Sequence, residues 1–141
     1  MVASPVHQGH AGPFSLLVNG EAGDYVDALE QIVGQPWLRT YRVGSDNEML
    51  QLVREGVGDA VVLDEAATEL DPLRMLRMIH RLNAALLVVL LTRRSDRRWM
   101  EQALRLTAFS VVIKPLRLEE LLAQIHRMMV RLDAAIRKGT L

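Results

Sequence analysis

The chain has no cysteine, so it can build no disulfide framework, thiolate nucleophile or zinc–thiolate site, and nothing in it calls for an oxidising compartment. Aromatics are scarce, at 4%, so the interior must be made of Leu, Val, Ile, Ala and Met, with seven methionines supplying adaptable packing. Neither sign of charge is in excess. The 17 Lys and Arg are matched by 17 Asp and Glu, which removes the bulk attraction to phosphate backbones on which nucleic-acid binders rely. Long hydrophobic runs are missing too: the most apolar stretch, 84–91, is far too short to cross a bilayer, and residues 1–13 have no apolar core of signal-peptide length. The expectation is a cytoplasmic protein with neither a membrane nor a nucleic acid as direct partner. Phosphate-binding glycine loops, zinc-protease helices and nucleophile elbows are likewise absent.

What is there fills one domain. A chain of 141 residues can bury roughly two-thirds of the surface its unfolded form exposes, enough for a core without staples. Residues 1–13 lack any hydrophobic period and read as a tail, residues 14–130 as the domain, and 131–141 as an extension of the last helix. Short β-rich runs fall at 14–18, 38–43, 60–63, 86–91 and 109–113, three of them nearly continuous Val, Leu and Ile, as suits parallel strands covered on both faces. Helical spacing fills the gaps: Tyr25, Leu29, Ile32 and Val33; Met49, Leu50 and Val53; Leu73, Leu76, Ile79 and Leu82; Trp99, Met100, Ala103 and Leu106. Asp46, Asp71 with Pro72, and Ser95 or Asp96 are placed to start helices, and Gly34 and Gly56 to end them. A last amphipathic stretch, 118–137, would run about 30 Å, so its far end is expected to project. The order (βα)5 predicts an α/β doubly wound five-stranded parallel sheet, strand order 2-1-3-4-5, with its crevice at the carboxyl ends of the strands.

At those ends stand Val18-Asn19-Gly20-Glu21, Leu63-Asp64, Leu91-Thr92 and Ile113-Lys114-Pro115. Asp64, Thr92 and Lys114, in that order and spacing, with Asp71 and Thr107-Ala108 beyond, resemble the receiver domain of bacterial response regulators over residues 14–129. The likeness is to chemotaxis-type regulators, in a variant with part of its acidic pocket replaced. The resemblance implies a two-component signalling module, not an enzyme, that accepts a phosphoryl group on Asp64 from a histidine kinase. Thr92 would hydrogen-bond a phosphoryl oxygen and Lys114 would offset its charge. A magnesium ion would be held, weakly, by Glu21, Asp64 and the Ala66 carbonyl, because Asn19 and Gly20 stand where the family carries its acidic pair.

Other departures bear on coupling. Val111 stands where the family usually has Tyr or Phe, Thr68 and Pro72 where it often has Pro and Gly, and Arg93 where it has a small residue. Arg93 could screen Asp64 or replace the lost cation. These changes keep a second reading open: a phosphorylation-independent pseudo-receiver acting as an interaction or dimerisation module through its fourth and fifth helices. Arg93, Arg94, Arg97 and Arg98 form a basic cluster suited to an acidic partner. His7 and His10 read as solvated tail residues, and His80 and His126 as surface residues.

Overall fold

The computed structural model describes residues 13–137, with side chains as far as Ala134. Five strands, β1 (Phe14–Val18), β2 (Leu38–Arg42), β3 (Ala60–Asp64), β4 (Leu87–Thr92) and β5 (Ser110–Ile113), alternate with five helices. These are α1 (Val26–Val33), α2 (Asp46–Arg54), α3 (Pro72–Leu82), α4 (Arg97–Arg105) and α5 (Leu118–Arg137). All pairings are parallel, in the order β2-β1-β3-β4-β5. The two-residue period of a strand divides the core in two. Leu16, Val18, Val62, Val89 and Leu91 face α1 and α5, while Leu17, Val61, Leu63, Val88 and Leu90 face α2, α3 and α4. Both β3 and β4 extend one residue further than expected, so Asp64 and Thr92 close their strands.

Several expectations need correcting. Asp46 does not cap α2; Ser45 does, accepting from the Glu48 N–H at 3.1 Å, while Glu48 reaches back to the Gly44 N–H at 2.7 Å in a variant of the capping box. Buried Asp46 instead accepts from the Glu69 and Leu70 N–H groups at 2.9 and 2.8 Å, tying α2 to the loop beyond β3. Ile32 is 58% exposed. A 3-10 turn over Gly20–Tyr25 precedes α1, whose buried face is set by Val26, Leu29 and Val33, and Ile32 lies about a quarter-turn away. Leu82, the last residue of α3, is 38% exposed. Leu121, Ile125, Met128 and Leu132 of α5 are buried against the sheet, each side chain contributing about 1.5–3 kcal/mol, while the side chains at the far end of the helix, expected to project, lie outside the described residues. Between α1 and β2, the Thr40 backbone N–H and hydroxyl both donate to Glu30 and hold its carboxyl below the usual value.

Two helix ends show how sequence and backbone conformation interact. Both α2 and α4 close with the same pair of reversed hydrogen bonds: Gly56 and Val57 donate to Val53 and Leu52, and Thr107 and Ala108 donate to Leu104 and Ala103. The left-handed residue is Gly56 in one, with φ 75°, and Thr107 in the other, with φ 68°. A threonine there is strained, and His80 compensates it. Half-buried at the surface, the His80 imidazole bridges the Leu86 carbonyl and the Thr107 hydroxyl, each at 3.0 Å. Thr107→Ala keeps the strain and loses the bond, so urea denaturation should show it about 1 kcal/mol less stable. Thr107→Gly loses the bond but relieves the strain, and should fall within about 0.5 kcal/mol of the parent.

Candidate functional site

Alternation along β3 and β5 puts Asp64 and Lys114 on the α1/α5 side of the sheet rim. The Lys114 ammonium lies 2.6 Å from Asp64 Oδ1, and these side chains are only 5% and 2% exposed. Asp64 Oδ1 also accepts from the Ala66 N–H at 2.9 Å, and Oδ2 accepts from the Glu21 N–H at 2.8 Å. A buried carboxylate needs such partners, since desolvation otherwise outweighs whatever it gains elsewhere. Asn19, buried in place of an acid, accepts the Asp64 backbone N–H at 2.6 Å. An amide oxygen can accept that bond and adds no charge.

Gly20 explains why Asp64 sits where it does. With φ 60°, it occupies backbone space that glycine takes without penalty. A Cβ there would fall 2.6 Å from Asp64 Cβ, and against Oδ2. The aspartate side chain occupies the volume that a side chain at position 20 would need.

Glu21 reaches the cup despite its one-residue offset. Its Oε2 accepts from the Leu116 N–H at 2.8 Å and its Oε1 lies 3.7 Å from the Lys114 ammonium, while the Tyr25 hydroxyl donates to the Leu116 carbonyl at 2.7 Å. The turn after β1 thereby grips both backbone groups of Leu116, just beyond the cis Lys114–Pro115 bond.

Thr92 shares the rim, with the Lys114 N–H donating to its carbonyl at 2.8 Å, but its buried hydroxyl is committed elsewhere. It donates to Glu65 Oε1 and accepts from the Arg94 N–H at 2.9 Å. Glu65 Oε2 takes the Arg94 Nε at 3.0 Å, and the Arg94 guanidinium stacks 5.1 Å from the centre of the Trp99 ring. Glu65, next to the expected acceptor, does not stand out in the sequence. Its signal is only that a carboxylate follows Asp64 while an arginine stands two residues beyond Thr92. Arg93 is exposed, and Lys114, not Arg93, supplies the cation at Asp64. Of the basic cluster, Arg94 is paired with Glu65 and Arg97 with Glu101 at 3.3 Å. His126 is exposed as expected; His7 and His10 lie outside the described residues.

The model of the response regulator receiver domain matches residues 18–126, well over half of the chain. The chain belongs to that family. Receivers are typically signalling modules that interact with histidine kinases and other signalling proteins. No curated protein matches the sequence. Among solved structures, this receiver is similar to a CheY-like receiver domain protein from Methanospirillum hungatei JF-1, with 16% identity, 90% of this chain and 99% of that one covered, and a TM-score of 0.72. It is similar to the signal receiver domain of a putative LuxO repressor protein from Vibrio parahaemolyticus at 13% identity, 86% and 94% coverage and a TM-score of 0.73. A CheX–CheY–BeF3–Mg2+ complex from Borrelia burgdorferi matches at 18% identity, 84% and 91% coverage and a TM-score of 0.68. At these identities the likeness shows the fold. No helix among the described residues is long and apolar enough to cross a membrane.

Receivers typically bind Mg2+ at their phosphorylation site, and the residues at this rim do not fit a resident ion in this arrangement. Gly20 offers no ligand, both acceptor directions of Asp64 Oδ1 are filled by Lys114 and Ala66, and Oδ2 faces the Gly20 backbone with Glu21 N–H already on it. Glu21 is spent on Leu116 and Lys114. With Asn19 and Gly20 uncharged, two carboxylates share one ammonium, and the cup carries a net charge near −1 without any metal.

Proposed function

We propose that this receiver takes part in two-component signalling in the cytoplasm, with Asp64 as the phosphoryl acceptor. The observation that supports this reading most is the Lys114 ammonium at 2.6 Å from Asp64 Oδ1, on the rim where Thr92 closes the neighbouring strand. In transfer, an Asp64 carboxylate oxygen attacks phosphorus and forms a new O–P bond. The bond from phosphorus to the donor's leaving atom breaks, and that atom keeps the electron pair. Lys114 then exchanges its carboxylate contact for one with a phosphoryl oxygen, whose charge its ammonium offsets. The partner is a histidine kinase or another signalling protein, and the exposed Leu104, Ile113 and Val130 on α4, β5 and α5 favour contact with a second copy of the chain.

The same geometry favours a second reading, in which the domain signals without phosphate. Gly20 and three donors on Asp64 leave the nucleophile engaged on every side. Intact-mass measurement separates the two. Incubation with acetyl phosphate across a magnesium series should give a labile adduct of one phosphoryl mass, lost in Asp64→Asn, with a magnesium dependence shifted to high concentration. If no adduct forms at any magnesium concentration, the second reading replaces the first.

A further inference from the structure

Thr92 is the expected phosphoryl contact, yet here its hydroxyl is held by two partners that are not the acceptor. Its proton goes to Glu65 and its lone pair is taken by the Arg94 N–H. Glu65 uses its second oxygen on the Arg94 side chain, and Arg94 lies over Trp99. The four residues form one connected chain from the loop after β3, across the end of β4, to the first turn of α4. Three of the links are polar and one is a cation–π stack, so changing the first partner alters what the last one feels.

Two further observations concern Trp99. The residue is 6% exposed and packs in the α2–α4 half of the core, and its indole Nε1 is buried with no hydrogen-bond partner among the described residues. A buried, unpaired N–H raises the free energy of this arrangement relative to any other that gives it an acceptor.

We propose that Glu65, Arg94 and Trp99 are positioning residues that hold Thr92 away from Asp64 in the resting state and carry its release to α4. The proposal rests on Asp64 as phosphoryl acceptor. When a phosphoryl group draws the Thr92 hydroxyl toward it, Glu65 loses one donor and the Arg94 backbone loses its acceptor. The guanidinium then shifts over the Trp99 ring. The signal leaves the site through α4.

Trp99 can be made its own reporter by Trp37→Phe, which removes the other tryptophan, an exposed residue remote from the rim. In that background Thr92→Val should raise acrylamide quenching of Trp99 about twofold, the factor by which loss of a weak cation–π contact shifts the balance between the packed and the loosened ring. Thr92→Ser, which keeps the hydroxyl, should leave quenching unchanged, and adding Glu65→Ala to Thr92→Val should produce no additional rise beyond Glu65→Ala alone. Independent effects of the two substitutions overturn the proposal. With acetyl phosphate and magnesium, a mass-verified Asp64 adduct should raise quenching in the same way. An adduct without that change overturns the proposal while leaving Asp64 as acceptor. Absence of any adduct removes the acceptor reading, and the Thr92–Glu65 coupling in the unmodified protein then decides whether the resting latch exists.

Discussion

Gly20→Asp, which returns a carboxylate to a position where the family carries one, is expected to unfold about 10 °C below the parent, corresponding to roughly 3 kcal/mol for a domain of this size. Aspartate tolerates left-handed backbone better than most residues, so the greater part of the loss comes from collision of the new Cβ with the Asp64 side chain. Relief would require Asp64 to give up the Glu21 N–H or Lys114. The substitution should therefore fail to create tight magnesium binding in a calorimetric titration, because the new ligand and Asp64 compete for one volume. Near-parental stability together with micromolar magnesium affinity would show that Asp64 is free to turn outward, and that steric conflict with position 20 does not account for the missing metal site.

The second large effect is expected at Lys114. Lys114→Met removes the only side-chain cation, among the described residues, on a carboxylate that is 2% exposed, and a broken buried ion pair costs about 3–5 kcal/mol. The Ala66 and Glu21 N–H groups remain, which places the loss at the lower end of that range. Adding Asp64→Asn should restore most of it: the stranded charge disappears and the amide oxygen still accepts from a backbone N–H. Denaturant midpoints of the two single variants and the double variant give the coupling directly. If Lys114→Met lies within about 1 kcal/mol of the parent, the pair does not hold the rim together.

The strands themselves, and the face on which Asp64 and Lys114 stand, are legible in the sequence from periodicity, while the strand order and the meeting of the two residues follow from the common doubly wound topology and the resemblance to receivers. Apolar runs fix which segments are strands, strand ends fix the rim, and the two-residue alternation fixes the side. What is not legible depends on choices between neighbours of similar chemistry. Ser45 and Asp46 are both competent caps, and only the tertiary fold, by offering Asp46 the Glu69 and Leu70 N–H groups, decides between them. In the sequence Glu21 looks one residue out of place for the cup; the 3-10 turn over Gly20–Tyr25 brings its carboxylate back to Lys114 and Leu116. The orientation of Thr92 is a rotamer decision made by Glu65 and Arg94, and no spacing rule records it. The bridge made by His80 is not legible because its partner Thr107 lies on another element, beyond β4.

The loop beyond β3 is suspended at both ends: Asp64 grips it at Ala66, and Asp46 grips it from α2 at Glu69 and Leu70. A flap that swings needs a slack end, and this one has none. Rearrangement of this loop is therefore confined to torsions of individual side chains over a stationary main chain.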